Sequence, residues 1–479
     1  MSKTEDIQAL GLVRGLGVWS AIAIVTGSII GTAIFLVPSE VSRDVGSVAL
    51  VLAVWLVGGL MVLLGGFCYA EMGAAMPEAG GDYVYLARGL GPLWGFLFGW
   101  MTAMIQRPAS AAILASGLLR LAGFIFPSTT ARIFSWYIPA PFRGERYELT
   151  FTTAQFWALA MIVLMVTINY LGVRNAGRVQ TILTGLKVAA IVSIVVMGLT
   201  LGKISVNHST LLATPPAHGG LGAFLTALAP VMFAYYGFGA LGTVGGEILS
   251  PQKNIPKAII VGVLSVVSLY TLLNLVYLHV LGFSQVVQSK HVTSDVVASL
   301  VGGSGAKWVT VAMMISALGA LHANFLTGPR VSYAMARDGK FFRFSQRIQP
   351  LFRTPSGALV FQGCVAILLV LTGTYQELYS LEIFAVGIFF MLTAVALIRL
   401  RAKEPELPRP YRAWGYPFTP LVFAAGALAM SANLWLVRPI HSSIGLAVIL
   451  LGIPFSYYWG RRATAGLEKP AMSAGAQEF

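Results

Sequence analysis

Long apolar runs separated by short polar connections are the dominant pattern along this chain. A helix needs about 20 mostly apolar residues to cross roughly 30 Å of hydrocarbon, and each run approaches or exceeds that length. The runs lack the strict alternation of a transmembrane β-strand, so we expect helices, which satisfy their own backbone polar groups in lipid. Twelve membrane spans are predicted, at residues 17–37, 48–73, 93–124, 153–171, 179–201, 221–249, 258–283, 307–336, 358–374, 378–400, 417–437 and 442–459.

Composition supports lipid as the environment of most side chains. Hydrophobic residues make up 57% of the 479 positions and charged residues only 10%, whereas soluble domains average about 25% charged residues. The longest connections, at 127–152, 283–306 and 340–357, are too short for a folded extramembrane domain. The fold class predicted from these features is an all-α, multi-pass membrane protein with about 12 transmembrane helices.

The formal charge of +14 does not indicate a nucleic-acid partner. Lysine and arginine lie mainly in short loops between spans, where they act as topology signals, and no basic face is interleaved with aromatic residues. One loop contains a dense basic group: Arg337, Lys340, Arg343, Arg347 and Arg353. The asymmetry predicts a plasma (inner) membrane protein with a cytoplasmic N-terminus, 1–16, and a cytoplasmic tail, 461–479.

Motifs for catalysis and cofactor binding are absent from the sequence. There is no H-E-x-x-H, no GxxxxGK[ST] and no nucleophile–base pairing, and His208, His218 and His291 lack metal-ligand spacing. Both cysteines, Cys68 and Cys364, lie within apolar runs, so a disulfide framework is not implied. We expect no enzyme activity, no cofactor and no catalytic or metal-binding residues.

Glycines interrupt two predicted spans near their middle. Span 1 contains GSIIGTA at 27–33, and span 6, five spans later, contains AYYGFGALG at 234–242. Interruptions in corresponding positions indicate an inverted five-plus-five repeat with its site at the bilayer midplane. The alternative for Gly27 and Gly31 is close helix packing through a small-xxx-small pair. The predicted segments are the repeats 17–201 and 221–400 and two further spans within 417–460.

The interruptions have a direct chemical meaning. An unwound helix exposes N–H groups on one side of the break and C=O groups on the other, and lipid tolerates this only beside a polar cavity. The N–H groups suit a carboxylate, and the carbonyl oxygens suit an ammonium group. A zwitterionic α-amino acid carries both charges, so the two interruptions favour a secondary transporter for a small amine-bearing solute, foremost an amino acid.

Short motifs in order along the membrane region carry a family resemblance. They are IIGTAIF at 29–35, CYAEMG at 68–73, GGDY at 80–83, NYLGVR at 169–174, FAY at 233–235, NIP at 254–256 and PEL at 405–407. In this order and spacing the chain resembles the amino acid–polyamine–organocation transporter superfamily, nearest its L-amino-acid transporter branch. The resemblance implies the LeuT-type inverted repeat with broken helices 1 and 6.

The resemblance also implies a substrate site at the two breaks. The substrate carboxylate would meet backbone N–H groups of span 1, and the ammonium group would meet carbonyl oxygens of both broken spans. Phe233 would act as an aromatic gate over the site. The implied substrate-binding residues are Ile29, Gly31, Thr32, Ala33, Phe233, Ala234 and Tyr236.

Two of these positions depart from the family pattern. Ala33 stands where relatives usually have a third glycine, and Tyr236 stands where they carry a small, aspartate or aliphatic residue. The missing aspartate argues against cationic substrates, and the added bulk argues for small neutral ones. The predicted function is sodium-independent transport of small neutral L-amino acids, as an exchanger or a proton-linked carrier. Alternatives are an amino-acid sensor or a channel on this scaffold, or a carrier of another amine such as a polyamine.

Lys187 is a lone lysine inside span 5. An ionisable residue within a span is costly and is a functional hypothesis by default. In relatives that work without sodium, a lysine here resembles a built-in cation that fills the place of a sodium ion between spans 1 and 8. The alternative is a structural lysine that reaches the cytoplasmic face, as long basic side chains near helix ends do.

Three further ionisable residues within spans are candidates for gating or pH sensing. Arg107 of span 3 could attract a substrate carboxylate, pair with Glu382 of span 10, or have a local structural role. Rise per residue places Glu382 nearer the outer surface, which disfavours the pair. His322 of span 8 could titrate near neutral pH or be a packing residue with satisfied hydrogen bonds.

Cytoplasmic span ends and the loop after span 3 give two further expectations. Glu71, Glu247 and Arg330 lie where they could form an inner gate network or be solvated charges at loop edges. Eukaryotic relatives join an ancillary glycoprotein through a cysteine in the loop after span 3, and 127–152 contains no cysteine. We therefore expect no disulfide-linked ancillary subunit. The expected partners are the amino acid substrate and membrane lipid.

Overall fold

The computed structural model describes residues 15–77, 80–139, 146–171, 176–202, 220–352 and 354–467. These ranges are mostly α-helical, which confirms an all-α membrane protein. The helices of the first half are α1 Val18–Ile29, α2 Ala33–Leu36, α3 Pro38–Val45, α4 Val48–Ala75, α5 Asp82–Gly89, α6 Pro92–Met101, α7 Arg107–Ile125, α8 Thr153–Tyr170 and α9 Ala176–Leu201. Those of the second half are α10 Leu221–Ala234, α11 Pro251–Leu281, α12 Phe283–Gln288, α13 Val292–Thr327, α14 Pro329–Arg337, α15 Ser356–Thr372, α16 Tyr375–Lys403, α17 Phe418–Val437 and α18 Pro439–Leu467.

Membrane-spanning capacity follows from helix length and composition. Within the described ranges, ten helical stretches are long and apolar enough to cross a membrane, and Val18–Ile29 and Ser356–Thr372 are shorter apolar helices. The connection after α7 contains an antiparallel hairpin, β1 Arg132–Pro139 paired with β2 Arg146–Thr152. The total of twelve spans, their orientation and the repeat relationship stay predictions.

The largest departure from the predicted elements concerns the eighth span. We predict a connection over 283–306, but α12 occupies its start and α13 already begins at Val292. Gly302 has a φ of +81° and a ψ of 171°, outside the helical range, so a kink there divides α13 into two helical parts. Val296 and Val297 in its first part are fully buried. This segment is therefore packed structure, although its polar residues and glycines interrupt the apolar run.

Aromatic side chains hold the centre of the molecule together. Helix α11 packs along α4 and also against α1. At this junction Trp55 of α4 meets the rings of Tyr235 and Tyr270 edge-on, with centroids 5.7 and 5.9 Å apart. The Tyr235 and Tyr270 rings stack at 5.2 Å. The three buried rings fix the end of α10 against α4 and α11.

Candidate functional site

The first interruption lies between α1 and α2. Helix α1 ends at Ile29, and Ile30 is extended with a φ of −71° and a ψ of 95°. Its N–H still bonds the Thr26 carbonyl at 3.0 Å, and helical structure resumes at Ala33. The first recorded backbone bond beyond the gap is from Phe35 N–H to the Thr32 carbonyl, at 3.1 Å. The N–H groups of Thr32 and Ala33 precede that bond, and their role as carboxylate donors stays a prediction.

Gly27 and Gly31 have different surroundings, which separates the two interpretations of this glycine pair. A Cβ at Gly27 would lie 2.7 Å from the Thr184 methyl carbon, so α1 and α9 are packed against each other there. A Cβ at Gly31 would meet only the Ile29 carbonyl oxygen, at 4.0 Å. Gly27 therefore serves packing, whereas Gly31 borders open space.

The second interruption follows α10. Tyr235 N–H bonds the Val231 carbonyl at 3.0 Å and Tyr236 N–H bonds the Phe233 carbonyl at 3.2 Å, after which the helical pattern stops. Gly237 then has a φ of +117°, and 3₁₀ turns follow within Phe238–Glu247, with a kink at Val244. A Cβ at Gly237 would lie 2.5 Å from the Ser28 carbonyl oxygen. The two interrupted helices thus meet backbone to backbone, and only glycine permits that approach.

Tyr270 of α11 is a polar group at the gap that sequence reasoning missed. Its phenol donates to the Ile29 carbonyl at 3.4 Å and also hydrogen-bonds the backbone at Gly31. One carbonyl and one amide of the predicted set therefore already have a protein partner. The side chain is fully buried. Its only signal in the sequence is a tyrosine within an apolar run, which does not reveal its contacts.

Aromatic rings cover one side of the site. The Phe233 ring stacks on Tyr379 with centroids 5.7 Å apart and meets Tyr375 edge-on at 6.5 Å. The Tyr379 hydroxyl donates to the Glu40 carboxylate, and the Arg120 guanidinium lies 4.9 Å from the Tyr375 ring centre. Phe233 therefore belongs to a cluster of aromatic rings beside the interruptions, and its role as a gate stays a prediction.

Several buried polar groups beside the gap lack a well-formed partner. The Thr32 and Tyr375 hydroxyls are neighbours, and neither has a hydrogen bond with regular geometry among the described residues. Gly117 of α7 lets that helix approach, because a Cβ there would lie 3.0 Å from the Thr32 hydroxyl oxygen. Two neighbouring hydroxyls whose mutual hydrogen bond is not well formed retain capacity to bind a polar ligand.

Lys187 reaches the first interruption directly. Its ammonium nitrogen donates to the Ile30 carbonyl oxygen at 3.3 Å, and the side chain is 2% exposed. Helix α13 packs against α9, but the described hydrogen bonds of Lys187 include none to α13. The lysine is therefore buried against the break in span 1 and does not extend to the cytoplasmic face. Whether it substitutes for an ion stays a prediction.

Arg107 and Glu382 lie near Tyr236 without forming a direct ion pair. The Ser110 hydroxyl donates to Glu382 Oε1 at 2.6 Å, while Glu382 Oε2 and Arg107 Nε are buried without a partner in the described ranges. The Tyr236 phenol is close enough to both charges to interact electrostatically. A π-helical turn, Thr102–Gln106, precedes Arg107, and such turns often mark functional positions.

His322 is placed away from this group. Its Nδ1 accepts a hydrogen bond from the Asn169 amide at 3.1 Å, which joins α13 to α8. The same amide nitrogen donates to the Met165 carbonyl at 2.8 Å. The recorded bond of the histidine does not go to either interrupted helix. This geometry agrees with the packing alternative.

The predicted inner network of Glu71, Glu247 and Arg330 is wrong in its partners. Glu71 accepts two bonds from Arg401, at 2.8 and 2.5 Å, and lies 3.5 Å from Arg409. Arg330 is exposed. Span 2 and the end of span 10 thus supply the charges, a pairing that sequence distance does not reveal.

Acidic groups outside the spans have raised pKa values. Burial raises the pKa of Asp82 to about 6, although hydrogen bonds from Tyr69 and Thr393 oppose the shift. Burial and the neighbouring Glu40 charge raise the pKa of Asp44 to about 7. Asp82 ties α5 to α4 and α16, so it is a structural contact on one side of the site.

Comparison with known proteins gives a consistent result across nearly the whole chain. The amino acid permease family model matches residues 16–454. The serine/threonine exchanger SteT of Bacillus subtilis (strain 168) is 31% identical over 467 residues, which cover 96% of this chain and 99% of the exchanger. The human large neutral amino acids transporter small subunit 2 is 30% identical over 460 residues, covering 94% and 82%. The human b(0,+)-type amino acid transporter 1 is 28% identical over 411 residues, covering 86% and 80%.

Proposed function

Because the chain belongs to the amino acid permease family, in the L-amino-acid transporter branch of its superfamily, we propose that it carries small neutral L-amino acids by alternating access, without sodium. One observation carries the proposal: the interruptions at Gly31 and Gly237 lie together at the centre of the molecule, and Gly31 borders open space. Exposed backbone in a membrane interior is tolerated only where it lines a cavity. The names of the similar transporters support an amino acid as the solute.

The proposed binding mode uses the polarity of the two breaks. The substrate carboxylate meets the N–H groups of Thr32 and Ala33, and the ammonium group meets the carbonyl oxygens of Phe233 and Ala234. The substrate side chain then extends toward Tyr236, whose bulk limits its size. Arg107 and Glu382 add hydrogen-bonding groups near that end, so a polar side chain finds partners there.

Alternating access requires the covered side to open. The Phe233–Tyr379 stack and the Tyr379–Glu40 hydrogen bond close that side in this structure. We propose that these contacts separate when the substrate enters. A substrate that binds the closed form more tightly than the open form shifts the population toward closure.

Lys187 takes the place of a coupling ion in this proposal. A fixed ammonium group on the Ile30 carbonyl stabilises the carbonyl end of the break as a bound sodium ion would. Because this charge is covalently part of the protein, transport needs no sodium gradient. The carrier is an exchanger or is linked to protons. We also propose that it lies in the plasma (inner) membrane and that it works without a disulfide-linked subunit.

Uptake into liposomes reconstituted with the purified protein tests the function. We expect saturable uptake of labelled L-alanine or L-serine that is unchanged by sodium and, for an exchanger, accelerated by internal amino acid. Lys187→Ala reduces uptake at least about tenfold with normal membrane insertion, and Lys187→Arg, which keeps the charge, retains more activity than Lys187→Met.

Two of the competing functions, a channel and a polyamine carrier, give distinct results in the same assay. A channel gives flux that does not saturate and no acceleration by internal substrate. A polyamine carrier takes up putrescine in preference to L-alanine. Sodium-stimulated uptake by the wild type, or full activity of Lys187→Ala, would contradict the built-in cation.

A further inference from the structure

A groove on the outside of the helix bundle has no part in the transport site. It has a cavity volume of about 480 Å³ and lies between the end of α8, the start of α15 and the connection before α15. The residues that matter here are Tyr170, Arg347, Ser356, Val360, Phe361 and Cys364. Its walls are largely apolar side chains, with one guanidinium group at one end.

The apolar part of the groove continues along α15. Val360, Cys364 and Leu368 are spaced four residues apart, so they lie on one face of the helix. All three are exposed, Val360 to 47% and Leu368 to 60%. Eight residues of helix rise about 12 Å, so the three side chains form an apolar track of about that length. Such a track can contact a large part of one lipid acyl chain.

The connection before α15 is strongly basic. Between 339 and 357 the sequence contains Lys340, Arg343, Arg347 and Arg353 and no acidic residue. Lys340, Arg343 and Arg347 are described, and none of them has a salt bridge within 4.0 Å in the described structure. The positive charge at this end of the groove is therefore not neutralised by the described carboxylates.

Large apolar side chains interleave with these charges. Phe344, Ile348 and Leu351 are 40%, 48% and 76% exposed. Alternating basic and exposed apolar residues are typical of a segment at the boundary between hydrocarbon and lipid headgroups. The basic connection therefore places the arginine end of the groove at headgroup level, and the α15 track continues into the hydrocarbon.

Hydrogen bonds hold the groove in shape. Gly357 N–H and the Ser356 hydroxyl both donate to the Arg347 carbonyl, at 3.3 and 3.2 Å, and the Thr354 hydroxyl donates to the Tyr170 carbonyl at 3.0 Å. A Cβ at Gly357 would lie 1.9 Å from the Phe344 carbonyl oxygen, so the connection touches the start of α15. The groove is a formed feature whose walls are fixed before a ligand arrives.

We propose that this groove binds one anionic phospholipid of the leaflet that faces the basic connection. The lipid phosphate pairs with the Arg347 guanidinium, with Arg343 and Lys340 adding positive potential, and one acyl chain lies along Val360, Cys364 and Leu368. Basic pockets between spans recognise anionic headgroups in this way. The charge complementarity selects an anionic lipid over a zwitterionic one, and the apolar track selects a lipid over a free anion.

Cys364 provides a native probe for the occupant. Its thiol is exposed in the groove, whereas Cys68 is buried. We would measure the rate of Cys364 modification by a maleimide on the full-length protein in detergent, with added phosphatidylglycerol, phosphatidylcholine or inorganic phosphate. Phosphatidylglycerol is expected to slow the reaction strongly, phosphatidylcholine weakly, and inorganic phosphate not at all.

Substitutions test the role of the guanidinium group. Each basic residue at a membrane surface contributes about 1 kcal/mol to anionic lipid binding, so Arg347→Gln should weaken protection by phosphatidylglycerol about fivefold. Arg412→Gln, at an exposed arginine of another connection, should leave protection unchanged. Val360→Trp, which fills the apolar track, should reduce the number of phosphatidylglycerol molecules counted on the purified protein by native mass spectrometry.

The remaining outcomes overturn the proposal. Equal protection by both lipids means an apolar groove without headgroup recognition. Protection by inorganic phosphate alone means a site for a free anion. If Arg347→Gln does not elute as a folded protein, the lipid count for Val360→Trp decides, and an unchanged count contradicts the proposal.

Discussion

Two groups of buried polar residues in this protein are built in opposite ways. Around Glu71, the carboxylate accepts two bonds from Arg401, lies 3.5 Å from Arg409 and accepts the Ala413 N–H at 2.7 Å. Around the two interruptions, hydroxyl, guanidinium and carboxylate atoms are buried without a regular hydrogen bond in the described structure. The atoms concerned belong to Thr32, Tyr375, Arg107 and Glu382.

This difference in hydrogen bonding distinguishes a structural group of polar residues from a ligand-binding one. A buried charge whose partners are complete holds elements in place and has no remaining capacity for a ligand. Buried atoms without partners carry an energetic cost that a bound polar ligand can remove. The Glu71 group therefore connects α4 to the end of α16 and the following connection, while the region around Thr32 is the one expected to change its contacts during transport.

The largest effect expected from this comparison is on stability. Glu71→Ala removes the carboxylate that accepts from Arg401 and from the Ala413 N–H. Losing these charged hydrogen bonds costs about 1.5–3 kcal/mol and should lower the Tm of the purified protein clearly. Glu404→Ala removes a partly exposed partner of Arg88, a pair worth at most about 1 kcal/mol. Thermal unfolding in detergent measures both. Equal Tm shifts would remove the distinction between the two carboxylates.

The two glycines of span 1 should separate stability from transport. Gly27→Ala forces a methyl against Thr184 and should destabilise the protein by about 1–3 kcal/mol. Gly31→Ala places its methyl in open space, so the Tm stays unchanged while uptake falls about tenfold. Paired Tm and uptake measurements check this. A stable, fully active Gly31→Ala protein would mean that no substrate atom approaches Gly31.

Tyr236 should set the size of the accepted side chain. Tyr236→Gly enlarges the proposed pocket, so uptake of L-leucine relative to L-alanine should rise about tenfold. Tyr236→Phe keeps the ring and should leave the profile near that of the wild type. Competition by a panel of neutral amino acids measures the profile. An unchanged profile in Tyr236→Gly would place this side chain outside the substrate path.

The smallest effect is expected at Ala33. Ala33→Gly removes a methyl group at the proposed carboxylate position, and the half-saturating substrate concentration should fall about threefold. Concentration-dependent uptake by the variant and the wild type provides the comparison. A clear loss of affinity would show that the methyl group belongs to the fit around the substrate.

The sequence is informative about elements that depend on local pattern. Apolar runs predict the long helices because a helix must be apolar over its whole length to face lipid. The apolar pattern does not predict the start of α13, because Asp295 and Gly302 interrupt the apolar run. Val296 and Val297 are nevertheless buried there by tertiary packing. Local composition does not encode that packing.

The candidate site likewise has features that the sequence reveals and features that only the folded chain reveals. The glycines at 31 and 237 are visible as breaks in apolar runs, because their effect is on the backbone. Tyr270 and Tyr379 look like ordinary aromatic residues of a span, and only the folded chain brings one to the Ile29 carbonyl and the other to Glu40. The charges of Arg107 and Glu382 are evident from the sequence, but their common neighbour Tyr236 is not.

In the proposed transport mechanism, the gap after α1 holds the amino acid. The most direct test is the protection of a cysteine at Thr32 by substrate. Thr32→Cys would be made in a protein that also carries Cys364→Ser, and its modification by a small thiol reagent would be followed in liposomes with and without L-alanine. Thr200→Cys, on the exposed side of α9, is the matched control.

We expect L-alanine to slow modification at position 32 in a saturable manner, with half-protection at the concentration that half-saturates uptake. Modification at position 200 should be unaffected, and putrescine should protect neither position. If L-alanine saturates uptake while the rate of thiol modification at position 32 stays unchanged, the substrate does not occupy this gap. That result would contradict the proposed binding mode.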